Sequence, residues 1–135
     1  MTSLFINISN HPIDKWSEKQ KQAAKDLFPA GSEIEFQDWG FPNIDPRKDT
    51  QQVFDDYILP YGRRIMGMIL IGKSIQDIKI HLMGEQTFCC GLATYLYDCD
   101  EGDILYVSTT ERITEEKDGV KTSRFEFVQF RRLYR

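Results

Sequence analysis

DIKIHLMGEQTFCCGLATYLYDCDEGDILYVS, residues 77–108, decides the architecture of this chain. Across Asp77–Met83 the apolar Ile78, Ile80 and Leu82 alternate with Asp77, Lys79 and His81, the period of two expected of a strand. Gly84 and Glu85 interrupt it. Gln86–Tyr97 then brings Phe88, Leu92, Tyr95 and Leu96 onto one helical face, and Gly102 precedes a second apolar run, Ile104–Ser108 (ILYVS). Strand, helix, strand in this order predicts two parallel strands joined by a right-handed crossover.

Working outward, the N-terminal third repeats the pattern. Ser3–Ser9 (SLFINIS) is a β-branched and apolar run stopped by Asn10-His11-Pro12, which reads as a buried strand ended by a turn. A helix over Ile13–Leu27 is expected from Trp16, Gln20, Ala23, Ala24 and Leu27 at spacings of three and four, with Asp14 as N-cap and Pro29-Ala30-Gly31 as the stop. Glu33–Asp38 (EIEFQD) alternates as a half-exposed strand near an edge. Trp39–Asp49, with two prolines and a glycine, reads as a loop, and Thr50–Ile58 as a helix that Pro60 and Gly62 kink or end. The apolar Ile65–Ile71 reads as continued helix. At the other end, a polar turn is expected over Ser108–Arg112. Glu111–Glu116 and Arg124–Phe130 then form the arms of a hairpin closed at Asp118-Gly119, with Phe125, Phe127 and Phe130 facing inward. The expectation is one α/β domain over residues 1–135, a mostly parallel sheet flanked by helices and finished by a C-terminal β-hairpin.

Composition narrows the function classes. The longest apolar stretch, Met66–Ile71, falls far short of the roughly 20 residues that span a bilayer, and Met1–Asn10 lacks a basic leader and cleavage site, so a cytoplasmic protein without membrane contact is expected. Cys89, Cys90 and Cys99 show no CxxC spacing, which points away from a disulfide framework or a zinc site; no metal and no cofactor are expected. A net charge of −4 argues against duplex DNA. The last 24 residues nevertheless gather Arg112, Lys117, Lys121, Arg124, Arg131, Arg132 and Arg135. Such a run either faces one anionic ligand or balances the neighbouring glutamates.

In an open parallel sheet, ligands bind beyond the carboxyl ends of the strands, where helix N-termini direct unpaired N–H groups into a crevice. Three polar segments should meet there: Ser9-Asn10-His11, Gly84-Glu85-Gln86-Thr87, and Ser108-Thr109-Thr110-Glu111-Arg112. Gly84 would admit a ligand close to the backbone and Thr87 would offer a hydroxyl at a helix mouth, although the same turn also serves packing alone. Adjacent hydroxyls at Ser108, Thr109 and Thr110 suit sugar or phosphate, or merely cap the chain. His11 stands in the polar turn as a candidate acid or base, whereas His81 sits within a strand and fits a hydrogen-bonded, half-buried role. Lys121-Thr122-Ser123 on the hairpin either folds over the site or is ordinary surface. No GxGxxG, P-loop or nucleophile–base–acid set stands out along the chain.

The segments LFINISNHP (4–12), HLMGEQTF (81–88) and VSTTER (107–112) resemble small, Rossmann-like (CARF-like) proteins of type III CRISPR systems that bind or degrade cyclic oligoadenylate. The resemblance implies a homodimer holding a symmetric cyclic nucleotide between strand-end loops, in the service of antiviral defence. It also implies a metal-independent ring nuclease, in which a ribose 2′-hydroxyl attacks the adjacent phosphate and the protein aligns the groups and neutralises charge. On this chain the implied catalytic residues are His11 and Lys121. The implied ligand-binding residues are Ser9, Asn10, Gly84, Glu85, Thr87, Ser108, Thr109, Thr110, Glu111 and Arg112. A sensor or sponge without turnover fits the same residues. So does a deoxyribosyltransferase-like nucleoside enzyme with Glu85 or Glu111 as nucleophile, or a protein-interaction domain whose loops only cap strands.

Overall fold

In the computed structural model, which describes residues 2–71 and 75–135, β1 (Thr2–Ile8) pairs in parallel with β2 (Ile34–Asp38) on one side and β3 (Ile75–Leu82) on the other. β4 (Leu105–Lys117) runs parallel to β3 and antiparallel to β5 (Val120–Arg132), giving the order β2-β1-β3-β4-β5. The mostly parallel sheet and terminal hairpin expected from the alternation are therefore present. β1 is buried on both faces, as interior parallel strands are, and carries the polar Ser3 and Asn7 inside along with its apolar residues. Leu4, Ile6 and Ile8 enter one core cluster and Phe5 the other.

The two faces are covered differently. Against Leu4, Ile6, Ile8, Ile78, Ile80 and Leu82 lie α4 (Gln86–Asp98) and a long rod made of α2 (Thr50–Val53), a π-helical turn (Phe54–Ile58) and α3 (Leu59–Ile71). Pro60 does not end this rod. It lacks an N–H and crowds the carbonyl four residues back, and the widened turn that closes with Leu59 N–H on the Phe54 carbonyl comes immediately before it. α4 approaches this rod closely at Gly62 of α3, where a Cβ would meet the Tyr95 ring, and through its own Gly91, where a Cβ would meet Ile58 of the π-helical turn. The second face is covered by α1 (Glu18–Asp26), Trp16 and Phe28, together with Phe127 and Phe130 from the base of the hairpin.

Three details depart from the sequence reading. The helix expected over Ile13–Leu27 is split. A 3-10 turn at Ile13–Lys15 is followed by extended Trp16 and Ser17, and α1 starts after Ser17, whose hydroxyl accepts the Gln20 N–H at 3.2 Å. Ser17, not Asp14, is the N-cap, and the break turns Trp16 down into the core against Phe5 and His81. Secondly, Ser108–Arg112 is not a turn. β4 runs through it for 13 residues, since no glycine or proline interrupts the segment and β5 offers a continuous ladder. Finally, Phe125 is 70% exposed while Phe127 and Phe130 are buried. Thr109 pairs with Gln129 and Thr110 with Phe127, so Val128 is an extra residue in β5. This bulge lets two residues three apart, Phe127 and Phe130, share one face with ring centroids 5.0 Å apart. Phe125 lies beyond the body of the sheet on an overhanging arm that turns at Asp118 and Gly119, both at positive φ as a tight hairpin requires.

Candidate functional site

Strand register builds the site. Asn7 stands opposite Asp38 of β2 and His81 of β3, and His81 stands opposite Tyr106 of β4. The row lies on the α1 face at the carboxyl ends of the parallel strands. Ser108 follows Tyr106 by two residues and so projects from the same face. Asn7 is 1% exposed and His81 2%, yet every polar atom is engaged. Asn7 Nδ2 donates to Asp38 Oδ1 at 2.8 Å and to the His11 carbonyl at 2.9 Å. Asn7 Oδ1 lies 2.9 Å from His81 Nδ1, and His81 Nε2 lies 2.9 Å from Ser108 Oγ. The Ile13 N–H donates to Asp38 at 3.1 Å, and the Trp16 indole N–H donates to the His11 carbonyl at 3.0 Å.

These partners set the direction of each bond. Asn7 Nδ2 faces two acceptors and must be the amide nitrogen, so its oxygen faces His81 and Nδ1 must carry the ring proton. Burial, with a lesser contribution from His11, lowers the His81 pKa to about 4, so the ring is neutral near pH 7 and Nε2 is an acceptor. Ser108 Oγ–H therefore donates to Nε2. The rings of Trp16 and Phe130 pack edge to face with the imidazole, each with its centroid 5.4 Å from the imidazole centroid.

An open cleft of about 810 Å³ lies over this row. Ser9, Asn10 and His11 after β1, Met83 and Gly84 after β3, and Ser108 and Thr110 of β4 form its floor; Lys15, Lys19 and Gln20 line it from the α1 side and Phe125, Glu126 and Phe127 from the hairpin. Its volume lies within the range of about 300–1,000 Å³ usual for small-molecule sites.

Of the residues expected at a site, Ser9, Asn10, His11, Gly84, Ser108 and Thr110 are brought together here. Glu85 and Thr87 instead line a separate hollow with Asp45, Lys48 and Asp49. The Glu85 carboxylate caps α4, accepting from the Thr87 and Phe88 N–H groups at 2.9 Å. Partial desolvation raises its pKa, but these hydrogen bonds outweigh it and hold the carboxyl below its ordinary value. The N-terminus of α4 is thus supplied with an anion by its own chain. Thr109 turns away to bond the Gln129 carbonyl, Glu111 is exposed on the arm, and Arg112 reaches Ser123. Lys121 stands opposite Glu116 near the hairpin tip, outside the cleft. Arg124 is paired with Glu115 and Glu126, so for it the basic run balances neighbouring glutamates. Gly84 serves packing as well as the cleft, for a Cβ there would stand 2.2 Å from the Phe41 ring.

Asn7 and Asp38 were not singled out by the sequence reading, and His81 was given the lesser weight of the two histidines. A usable signal did exist. Asn7 and His81 occupy strand positions that burial on both faces forces inside, and buried polar side chains need partners. Among the described residues no cluster of three or more His, Cys, Asp or Glu side chains could hold a metal ion, and no helix is long and apolar enough to cross a membrane.

Fold and site together define an α/β protein with an open polar cleft at the carboxyl ends of a mostly parallel sheet. The chain belongs to the family described as the uncharacterized protein MJ1673 family, whose sequence model matches residues 3–131. No curated protein and no solved structure is matched by the chain.

Proposed function

We propose that the chain binds a cyclic oligoadenylate in this cleft and opens the ring by metal-independent phosphodiester cleavage, switching off type III CRISPR signalling. The supporting observation is the joint lining of one open cleft by cations at Lys15 and Lys19, hydroxyls at Ser9, Ser108 and Thr110, and the exposed ring of Phe125. Cations meet phosphates, hydroxyls meet ribose, and an aromatic face stacks on a base. A symmetric ring is completed by a second copy of the chain. The overhanging arm exposes two large apolar side chains, Val120 (61%) and Phe125 (70%), which support such a homodimer. His11 and Lys15, both exposed and both lining the cleft, are the groups that would meet the scissile phosphate.

The purified protein in EDTA is mixed with cyclic tri-, tetra- and hexa-adenylates while thermal shift and chromatographic products are followed. A shift with 2′,3′-cyclic phosphate or linear products is the expected outcome. A shift with intact ring makes the protein a sensor or sponge, and no shift with any ring rules the nucleotide reading out.

A further inference from the structure

We infer that Ser108 Oγ is a catalytic proton acceptor in the cleft, its hydroxyl polarity imposed from inside the protein by His81 and Asn7 acting as positioning residues. The inference rests on the proposed nucleotide reading for its substrate, but the polarity itself follows from the hydrogen bonds of a buried, neutral imidazole. A serine hydroxyl has one proton to give. Here that proton is committed to His81 Nε2 at 2.9 Å, because Nδ1 carries the ring proton and spends it on Asn7 Oδ1. The lone pairs left on Ser108 Oγ face the cleft, which Ser108 and His81 both line. The cleft floor therefore discriminates in favour of a ligand group that donates, such as a ribose hydroxyl, at the point where Ser108 stands.

The same arrangement can move a proton. As a ligand 2′-hydroxyl passes its proton to Ser108 Oγ, the Ser108 proton passes to His81 Nε2. The 2′ oxygen forms a bond to the adjacent phosphorus, the bond from phosphorus to the 5′ oxygen breaks, and that oxygen takes a proton from solvent at the open mouth. His81 then returns its extra proton to solvent through Ser108. The transient imidazolium keeps its Nδ1–H on Asn7 Oδ1, and Asn7 is anchored on the Asp38 carboxylate at 2.8 Å. Lys15 and Lys19, with His11 and Glu126, are the other charged or titratable groups lining this space.

The test joins two measurements. Imidazole ¹⁵N NMR of the free protein at pH 7 should show His81 as the Nδ1–H tautomer, with a Nε2 resonance that moves in Ser108→Ala. The Nε2–H tautomer, or a Nε2 resonance indifferent to the substitution, overturns the inference whatever the ligand. With cyclic tetra-adenylate, Ser108→Ala should keep ring affinity within about tenfold while kcat falls by about 100-fold or more. Turnover by Ser108→Ala at the wild-type rate also overturns it. If the Nδ1–H tautomer is found and wild-type protein binds no ring, the nucleotide reading fails while the imposed polarity of Ser108 stands, and the donor it accepts belongs to another ligand.

Discussion

The two faces of the sheet use the same strands to opposite ends. On the face covered by α3 and α4, Leu4, Ile6, Ile8, Ile80 and Leu82 meet Phe88, Leu92 and Leu96, and the contents are apolar throughout. On the other face, the alternate residues of those strands include Asn7 and His81, buried just as deeply but joined in a hydrogen-bonded row from Asp38 to Ser108. Burial alone does not distinguish them. What differs is the cost of disturbing each face: the first loses packing in proportion to the volume removed, while the second loses the satisfaction of particular atoms in a low-dielectric setting.

The largest effect should come from the apolar face. Phe88→Ala removes a fully buried ring that packs against Phe41 and Tyr61, and should destabilise the fold by about 3–5 kcal/mol in urea unfolding. The His81 environment should be intact in the folded fraction, and a changed His81 tautomer there would dissolve the distinction between the faces.

On the polar face the effect depends on pH. His81 has its pKa lowered from 6.5 to about 4 in the fold, so between these values the unfolded chain binds the proton and the folded chain resists it. Stability from this residue is fully present above pH 6.5, falls as pH drops toward about 4, and levels off below it. The loss amounts to about 3 kcal/mol across that window. Glu85 adds a loss of the same sign that begins lower, as pH falls below 4.5, because its carboxyl is held below its ordinary value. The comparison to make is therefore wild type against His81→Gln, which keeps a donor and an acceptor but cannot titrate. A pH dependence equally steep in both would show that His81 is not protected from protons by its burial.

The smallest effect should come from outside both faces. Lys121→Ala, near the tip of the β4–β5 arm and outside the cleft, should leave the unfolding midpoint and ring affinity unchanged. Weakened ring binding would instead show that the arm of one copy reaches the cleft of another.

Legibility followed the length scale of each interaction. Alternation in DIKIHLM and periodicity in Gln86–Tyr97 are local properties, and both appear in the fold as β3 and α4. Asp118-Gly119 marked its hairpin for the same reason, since a tight turn is chosen by the backbone preferences of two residues. The helix over Ile13–Leu27 was misjudged because spacing continues smoothly through Trp16 and Ser17, while the break is made by the core, which draws the indole against Phe5 and His81. The segment Ser108–Arg112 is strand and not turn because, although its hydroxyl-rich residues suit turns in isolation, ladder partners at Phe125–Phe130 convert them to strand.

By itself, the sequence determined the class of fold, the succession of strands and helices, and the concentration of polar residues at strand ends, because these follow from side-chain periodicity and local backbone preference. Only the tertiary structure decided which polar residues meet. That Asn7, His81 and Ser108 form one row while Glu85, Arg112 and Lys121 stand apart depends on the register of three strands distant in sequence. Register is set by the packing of whole faces, and a slip of one residue would have carried each of these side chains to the opposite side of the sheet.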